Sequence, residues 1–267
     1  MVASDRVSVF DVVLPDAIPD KGRVLTALSY FWFERTKDIV PNHVISCDPT
    51  DFPEIAGDVA GRATLVHAAR PIRLECVVRG YVFGHGWSEY CERGTVGGFI
   101  VPTGLRLAEQ LPHALFTPTT KAESGHDLPL SGVEAAELVG ADVYEQLEDV
   151  SLQLYAHGAR HAENCGLILA DTKFEFGTLD GEIIVIDEMM TPDSSRYWPS
   201  EAYEPGVSPP SFDKQYVRDY MDSTGWKHEP PAPALPAGVI ANTRAKYVEA
   251  YELITDLAFS EWYGNED

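Results

Sequence analysis

No stretch of this chain is apolar over the roughly 20 residues that a bilayer-spanning helix requires. Its first residues, MVASDRVSVFDVVL, lack the basic segment followed by an apolar one that marks a secretory signal. Cysteine is scarce: Cys47, Cys76, Cys91 and Cys165 are scattered without a CxxC or metal-type spacing, which suits reduced thiols in the cytoplasm. Positive charge is scarcer than negative, 20 Lys and Arg against 42 Asp and Glu, and the net charge of −22 argues against nucleic acid or anionic membranes as main partners. Internal repeats and low-complexity tracts are also missing. What remains is a 267-residue globular composition, 45% hydrophobic, able to bury a large core as one big domain or two lobes. The shortage of cations directs the search. If so acidic a protein binds phosphates, its basic residues must be placed locally, so those beside glycines and at strand ends become candidates.

The chain is organised around residues 166–196, GLILADTKFEFGTLDGEIIVIDEMMTPDSSR. An apolar run, 167–170, gives way to strict alternation in which Asp171, Lys173 and Glu175 share one strand face and Phe174 and Phe176 take the other. Asp180-Gly181 signals a hairpin, with 183–186 returning toward Asp187-Glu188. A two-residue turn pairs Glu175 with Ile186 and sends Asp187 to the opposite face. A three-residue loop with Gly181 left-handed sets Glu175 opposite Asp187, where the two carboxylates can share a cation. The second register is the expectation.

Residues 4–14 read as one strand. A helix follows with Val24, Leu28, Phe31, Trp32 and Arg35 near one face. Residues 70–81 form a strong strand that brings Arg79 to its end beside Gly80, and the following His85 sits between Gly84 and Gly86 in a loop that a ligand can approach closely. The segment 116–127, FTPTTKAESGHD, concentrates hydroxyls, Lys121, His126 and Asp127, the composition of a ligand loop. Ser131 and Glu134 form a capping box. Asp142 can cap a longer helix carrying Val143, Leu147, Val150 and Leu154, which Gly166 ends. Residues 197–211 read as irregular, and helices are expected near Tyr216–Met221 and from about Asn242, separated by a Pro-rich linker at 229–236.

Taken together, SDRVSVFDVVL, IPDKG, LECVVRGY, FTPTTKAESGHD, ADTKFEFG, DEMMTPDSSRYW and FDKQYVRDY resemble the SAICAR synthetase (phosphoribosylaminoimidazole-succinocarboxamide synthase) family, in order and over nearly the whole chain. The resemblance implies a cytoplasmic ATP-dependent ligase of purine biosynthesis that joins L-aspartate to carboxyaminoimidazole ribonucleotide (CAIR). It also implies a two-lobed α+β fold related to ATP-grasp and kinase architectures, divided here into residues 1–79 and 80–267. Homo-oligomerisation is left open.

Carried over residue by residue, Glu175 and Asp187 look like Mg²⁺ ligands, hard oxygens suited to an ion shared with substrate phosphates. Glu75, Val78 and Glu175 would line the ATP site. Lys173, as a catalytic cation, would lie near the ATP phosphates or the substrate carboxylate, and Asp171 would contact the ribotide. Arg79 and Arg196 would hold the ribotide 5′-phosphate. Thr120, Lys121 and Asp127 would help hold substrate or aspartate.

Two departures stand out. His85 replaces the serine of the family's Gly-Ser-Gly loop, putting a titrating donor at the phosphate. Met1 lies directly before the first matching strand, where the family carries a hairpin with a Gly-Lys-x-Arg-like segment over the ATP phosphates. The N-terminal lobe is therefore expected to be truncated.

Overall fold

The computed structural model describes residues 1–10, 12–54, 56–121, 128–212 and 214–263. Residues 6–17 are not one strand: β1 (Arg6–Val9) and β2 (Val12–Ala17) form an antiparallel hairpin with Val9 opposite Val12. The chain reverses after Val9 with Phe10 at φ 52, a left-handed position that no glycine or asparagine announces. Helix α1 (Lys21–Arg35) buries Val24, Leu28 and Trp32 as its spacing predicts. The short ladder of β3 (Val44–Ser46) and β4 (Leu65–Val66) follows, with α2 (Ala56–Val59) between its strands.

Next come β5 (Arg70–Tyr81), α3 (His85–Arg93) and a small hairpin of β6 (Thr95–Val96) with β7 (Phe99–Ile100). They lead to β8 (Gln110–Phe116) and β9 (Thr119–Thr120). The capping box forms as expected and opens α4 (Gly132–Val139). The long helix α5 (Ala141–Asn164) begins after Gly140, so Asp142 is not its cap but an acid in its first turn, where the helix dipole favours it. Gly166, at φ 72, then turns the chain into β10 (Leu167–Leu179). The remainder comprises β11 (Glu182–Ile186), β12 (Ser195–Pro199), α6 (Gln215–Ser223) and α7 (Ala237–Thr255), the last starting five residues earlier than its periodicity indicated.

β10 and β5 lie side by side at the centre of a six-stranded antiparallel sheet. β11 and β12 share the outer flank of β10, while β8 and β9 share that of β5. The expected boundary at residues 79–80 falls inside β5. One sheet face carries Leu74, Cys76, Val78, Phe174 and Phe176 into a core completed by Trp32, Leu154, Tyr197 and Tyr251 from α1, α5, β12 and α7. Leu167 and Leu169 join that core although their parity matches Asp171. An irregularity in the β10–β12 register between Leu169 and Asp171 re-aims the strand, so Ala170 packs with Phe83 and Trp198 and Asp171 reaches the other face. Such bulges commonly redirect side chains beside functional sites. No helix among the described residues is long and apolar enough to cross a membrane.

Candidate active site

The polar face of the sheet is built by register. On β10, Asp171, Lys173 and Glu175 stand opposite Arg79, Val77 and Glu75 of β5, and Asp171 also faces Arg196 of β12. Glu75 and Glu175 are therefore direct cross-strand neighbours of like charge, an unfavourable pair unless a cation intervenes. Lys173 supplies it: its Nζ donates to Glu75 Oε1 at 2.8 Å and to Glu175 Oε1 at 2.9 Å. Lys121 donates to the second oxygen of Glu175. Burial opposes the charge on both partners, but the carboxylates hold the Lys173 ammonium above its ordinary pKa. Lys173 and Lys121 hold Glu175 below the usual carboxylate range.

Asp187 joins this group by a route that strand alternation does not provide. The expected three-residue loop is wrong. Asp180 and Gly181 take φ 52 and 90, making a two-residue reversal that pairs Leu179 with Glu182 and Glu175 with Ile186. Asp187 lies just beyond β11 at φ 67, so the strand's period no longer dictates its side. Its carboxylate is held above the usual range, first by burial and then by the charge of Glu175, while Lys173 and Lys121 act in the other direction. A carboxylate made costlier to ionise by a second one beside it forms with it a hard-oxygen pair fit for a divalent cation. Among the described residues no three His, Cys, Asp or Glu close a metal cage, so an ion here would take its remaining ligands from substrate oxygens and water.

About two residues further along β10 begins a cationic group. Arg196 Nη1 donates to Asp171 Oδ2 at 2.6 Å, Arg79 Nη1 lies 3.9 Å from the same oxygen, and Arg79 Nε donates to Thr117 Oγ1 at 3.1 Å. Residues 197–199, expected to be irregular, instead continue β12 from Ser195, and this strand places Arg196 opposite Asp171. His85 is not in a loop: it opens α3 behind Gly84, whose φ is 56. A Cβ at Gly84 would come within 2.8 Å of Arg196 Nη2, so the absent side chain lets the guanidinium lie against this backbone. Arg79, Asp171, Lys173, Arg196 and Arg218 line a cleft of about 190 Å³.

A second cleft, of about 300 Å³, is lined by Arg6, Lys21, His43, Asp187, Glu188 and Lys214 among others, and Asp193 borders both clefts. The residues meeting at Asp193 were not singled out from the sequence as a group. Lys21 of α1 (2.7 Å), Lys214 before α6 (3.0 Å) and Tyr247 of α7 (2.6 Å) all contact its carboxylate and hold it ionised despite burial. The IPDKG and FDKQ segments carried the only signal. Nearby, burial and the charge of Asp193 push Glu188 up to about 7.

Some expected site residues stay apart. Val78 packs wholly in the core with no exposed side chain, so it presents nothing to the polar face. Thr120 Oγ1 accepts from the backbone N–H of Leu128 at 2.9 Å, which ties down its hydroxyl oxygen. Asp127 and His126 lie outside the described residues.

Clustered cations on the floor of a protein with net charge −22, next to paired carboxylates, have the chemistry that suits an enzyme handling anionic substrates. The SAICAR synthetase family model matches residues 1–233. A phosphoribosylaminoimidazole-succinocarboxamide synthase of Desulfosudis oleivorans is 53% identical over 259 residues, covering 95% of this chain and 88% of that protein. Its counterpart in Halorhodospira halophila is 48% identical, covering 96% and 88%. Among solved structures, the SAICAR synthase of Saccharomyces cerevisiae complexed with SAICAR superposes with a TM-score of 0.89 at 39% identity, covering 97% of this chain and 89% of that one. A SAICAR synthetase in complex with ADP shares the fold, with a TM-score of 0.71 at 23% identity, over 97% of this chain and 91% of that one. The chain belongs to the SAICAR synthetase family, carbon–nitrogen ligases of purine biosynthesis.

Proposed function

We propose that this chain uses ATP to activate the carboxylate of CAIR and joins it to the amine of L-aspartate on the polar face of β10. The observation that carries this reading is the continuous row Asp171, Lys173, Glu175 with Asp187 at its end. It supports the reading because Asp171 faces Arg79 and Arg196, Lys173 bridges Glu75 and Glu175, and Asp187 lies within electrostatic reach of Glu175. The finer relation of the fold to ATP-grasp and kinase architectures belongs to this reading, as do ATP as phosphoryl donor and the cytoplasm as the compartment.

A carboxylate resists nucleophilic attack, so the first step is phosphorylation by ATP to an acyl phosphate with release of ADP. The aspartate amine then attacks the acyl carbon, inorganic phosphate leaves, and the amide forms. Arg79, Arg196 and His85 hold the ribotide 5′-phosphate, with Asp171 fixing both guanidinium groups through Arg196 at 2.6 Å and Arg79 at 3.9 Å. Lys173, held by Glu75 and Glu175, brings a fixed positive charge to the oxygens that gain charge during transfer. Lys121 stands over Glu175 on the same side and serves the anionic groups arriving there.

Glu175 and Asp187 are the residues that would hold Mg²⁺, which when bound compensates phosphate charge. Aspartate is placed at the second cleft, where Lys21 and Lys214, fixed on Asp193, offer paired positive charge to a dicarboxylate. ADP release measured with each substrate omitted in turn tests the assignment. The ligase reading requires ADP release that depends on both CAIR and aspartate, with equal succinocarboxamide formed. ADP release indifferent to aspartate would instead mark a kinase-like phosphotransferase.

A further inference from the structure

Glu89 has no place in the reaction described above, yet its carboxylate accepts three hydrogen bonds close to the arginines assigned to the ribotide. It lies one helical turn after His85 on α3, on the same helix face. One of its oxygens accepts from Thr95 Oγ1 at 2.7 Å and from the N–H of Gly98 at 2.9 Å, and the other accepts from the N–H of Gly97 at 2.8 Å. These bonds hold Glu89 below the usual carboxylate range although burial opposes its charge, and the charge of His85 acts in the same direction. The Glu89 charge is felt in turn by Arg79.

The turn that Glu89 clamps is packed against the arginine's support. Gly97 has φ 58, and a Cβ there would come within 2.3 Å of the Thr117 methyl, so bare backbone abuts Thr117. Thr117 is buried, and its Oγ1 accepts from Arg79 Nε at 3.1 Å. On the other side, a Cβ at Gly86 would lie 3.5 Å from Arg79 Cδ and 3.3 Å from Val96. Arg79 is thus enclosed by the first turn of α3 and by the β6–β7 turn, and Glu89 hydrogen-bonds one element to the other beside the apolar cluster that joins Trp87 and Tyr90 to Val96.

We infer that Glu89 is a positioning residue for the ribotide phosphate site, locking the β6–β7 turn to α3 so that Arg79 and His85 keep a shared geometry. The inference rests on the assignment of the 5′-phosphate to Arg79, Arg196 and His85. An anion is tolerated beside a phosphate site because three donors already engage both of its oxygens. Glu89→Gln keeps the volume but turns one of its ends into a donor, so it loses at least one of the bonds and sets an N–H against an N–H.

The experiment compares the wild-type chain, Glu89→Gln, Glu89→Asp and Arg79→Lys. It reads KM for CAIR, ATP and aspartate, kcat, Tm, and inhibition by aminoimidazole ribonucleotide and by its nucleoside, which lacks the phosphate. Glu89→Gln is expected to raise KM for CAIR about tenfold with ATP and aspartate KM unchanged. It should weaken inhibition by the nucleotide and leave that by the nucleoside unaltered, with Glu89→Asp intermediate. Three results overturn the inference: a uniform loss across all substrates that follows a fall in Tm, equal weakening of nucleotide and nucleoside, or unchanged CAIR kinetics. If Arg79→Lys weakens nucleotide binding while Glu89→Gln does not, the phosphate assignment survives and only the role of Glu89 fails. If Arg79→Lys has no effect on nucleotide against nucleoside, the phosphate assignment itself fails and takes the inference with it.

Discussion

Replacing Lys173 by methionine removes the ammonium that separates Glu75 from Glu175 while keeping most of the aliphatic length. In the native arrangement Lys173 donates to both carboxylates at 2.8 and 2.9 Å, and its own side chain is 28% exposed. Without it, two carboxylates face each other across the β5–β10 ladder, with only the more exposed Lys121 left on Glu175. Breaking a largely buried ion pair in this way costs about 3 kcal/mol. For a chain of this size that corresponds to a fall of about 6–12 °C in Tm.

Turnover should fall further, by about 10²–10³, because a fixed charge aimed at the transferring group is lost as well. The two effects separate in Lys173→Met combined with Glu75→Gln. Neutralising Glu75 removes the repulsion, so thermal unfolding should recover at least half of the lost Tm while turnover stays low. Unchanged Tm and turnover in the single variant would refute the bridging role. A double variant that regains both stability and activity would show that Lys173 acts on the fold alone.

Asp187→Asn should abolish turnover yet raise Tm. The folded protein holds the Asp187 proton more tightly than the unfolded chain does, so ionised Asp187 opposes folding as pH rises above the ordinary carboxylate value of about 3.9. The gain in Tm should therefore be present at pH 8 and fade toward pH 4, and a Tm below wild type at pH 8 would contradict the assigned environment. Glu175→Gln should also stop turnover but without that gain, because Lys121 and Lys173 stabilise its charge. Lys214→Met should raise KM for aspartate more than KM for CAIR, and the reverse order in steady-state kinetics would move aspartate out of the second cleft. Gly181→Ala should cost about 1 kcal/mol, read as a Tm fall of about 2–4 °C with kcat unchanged, because residue 181 sits at φ 90.

Much of the site was legible because β10 repeats with a period of two. The alternation from Asp171 to Phe176 stated which side chains share the polar face and which enter the core, and both assignments hold. What could not be read depended on single backbone angles. Phe10 takes a left-handed conformation without a residue that normally signals it, so a hairpin was read as one strand. Asp187, an aspartate that tolerates this region, does so outside any turn motif and was brought to Glu175 through the wrong register. The strand that carries Arg196 was also missed, because residues 197–199 read as irregular. It is five residues long and ends in Pro199, leaving too little pattern to distinguish it from a loop. The Asp193 group was invisible for a different reason. Lys21 of α1, Lys214 just before α6 and Tyr247 of α7 are far apart in the chain, and only packing makes them neighbours.

The most direct test of the activation step uses CAIR labelled with ¹⁸O in its carboxylate. Incubation with ATP and aspartate is followed by mass analysis of the inorganic phosphate. If the carboxylate is phosphorylated on the β10 floor, one labelled oxygen passes to phosphate for every succinocarboxamide formed. Phosphate without label, alongside normal product, would contradict the account.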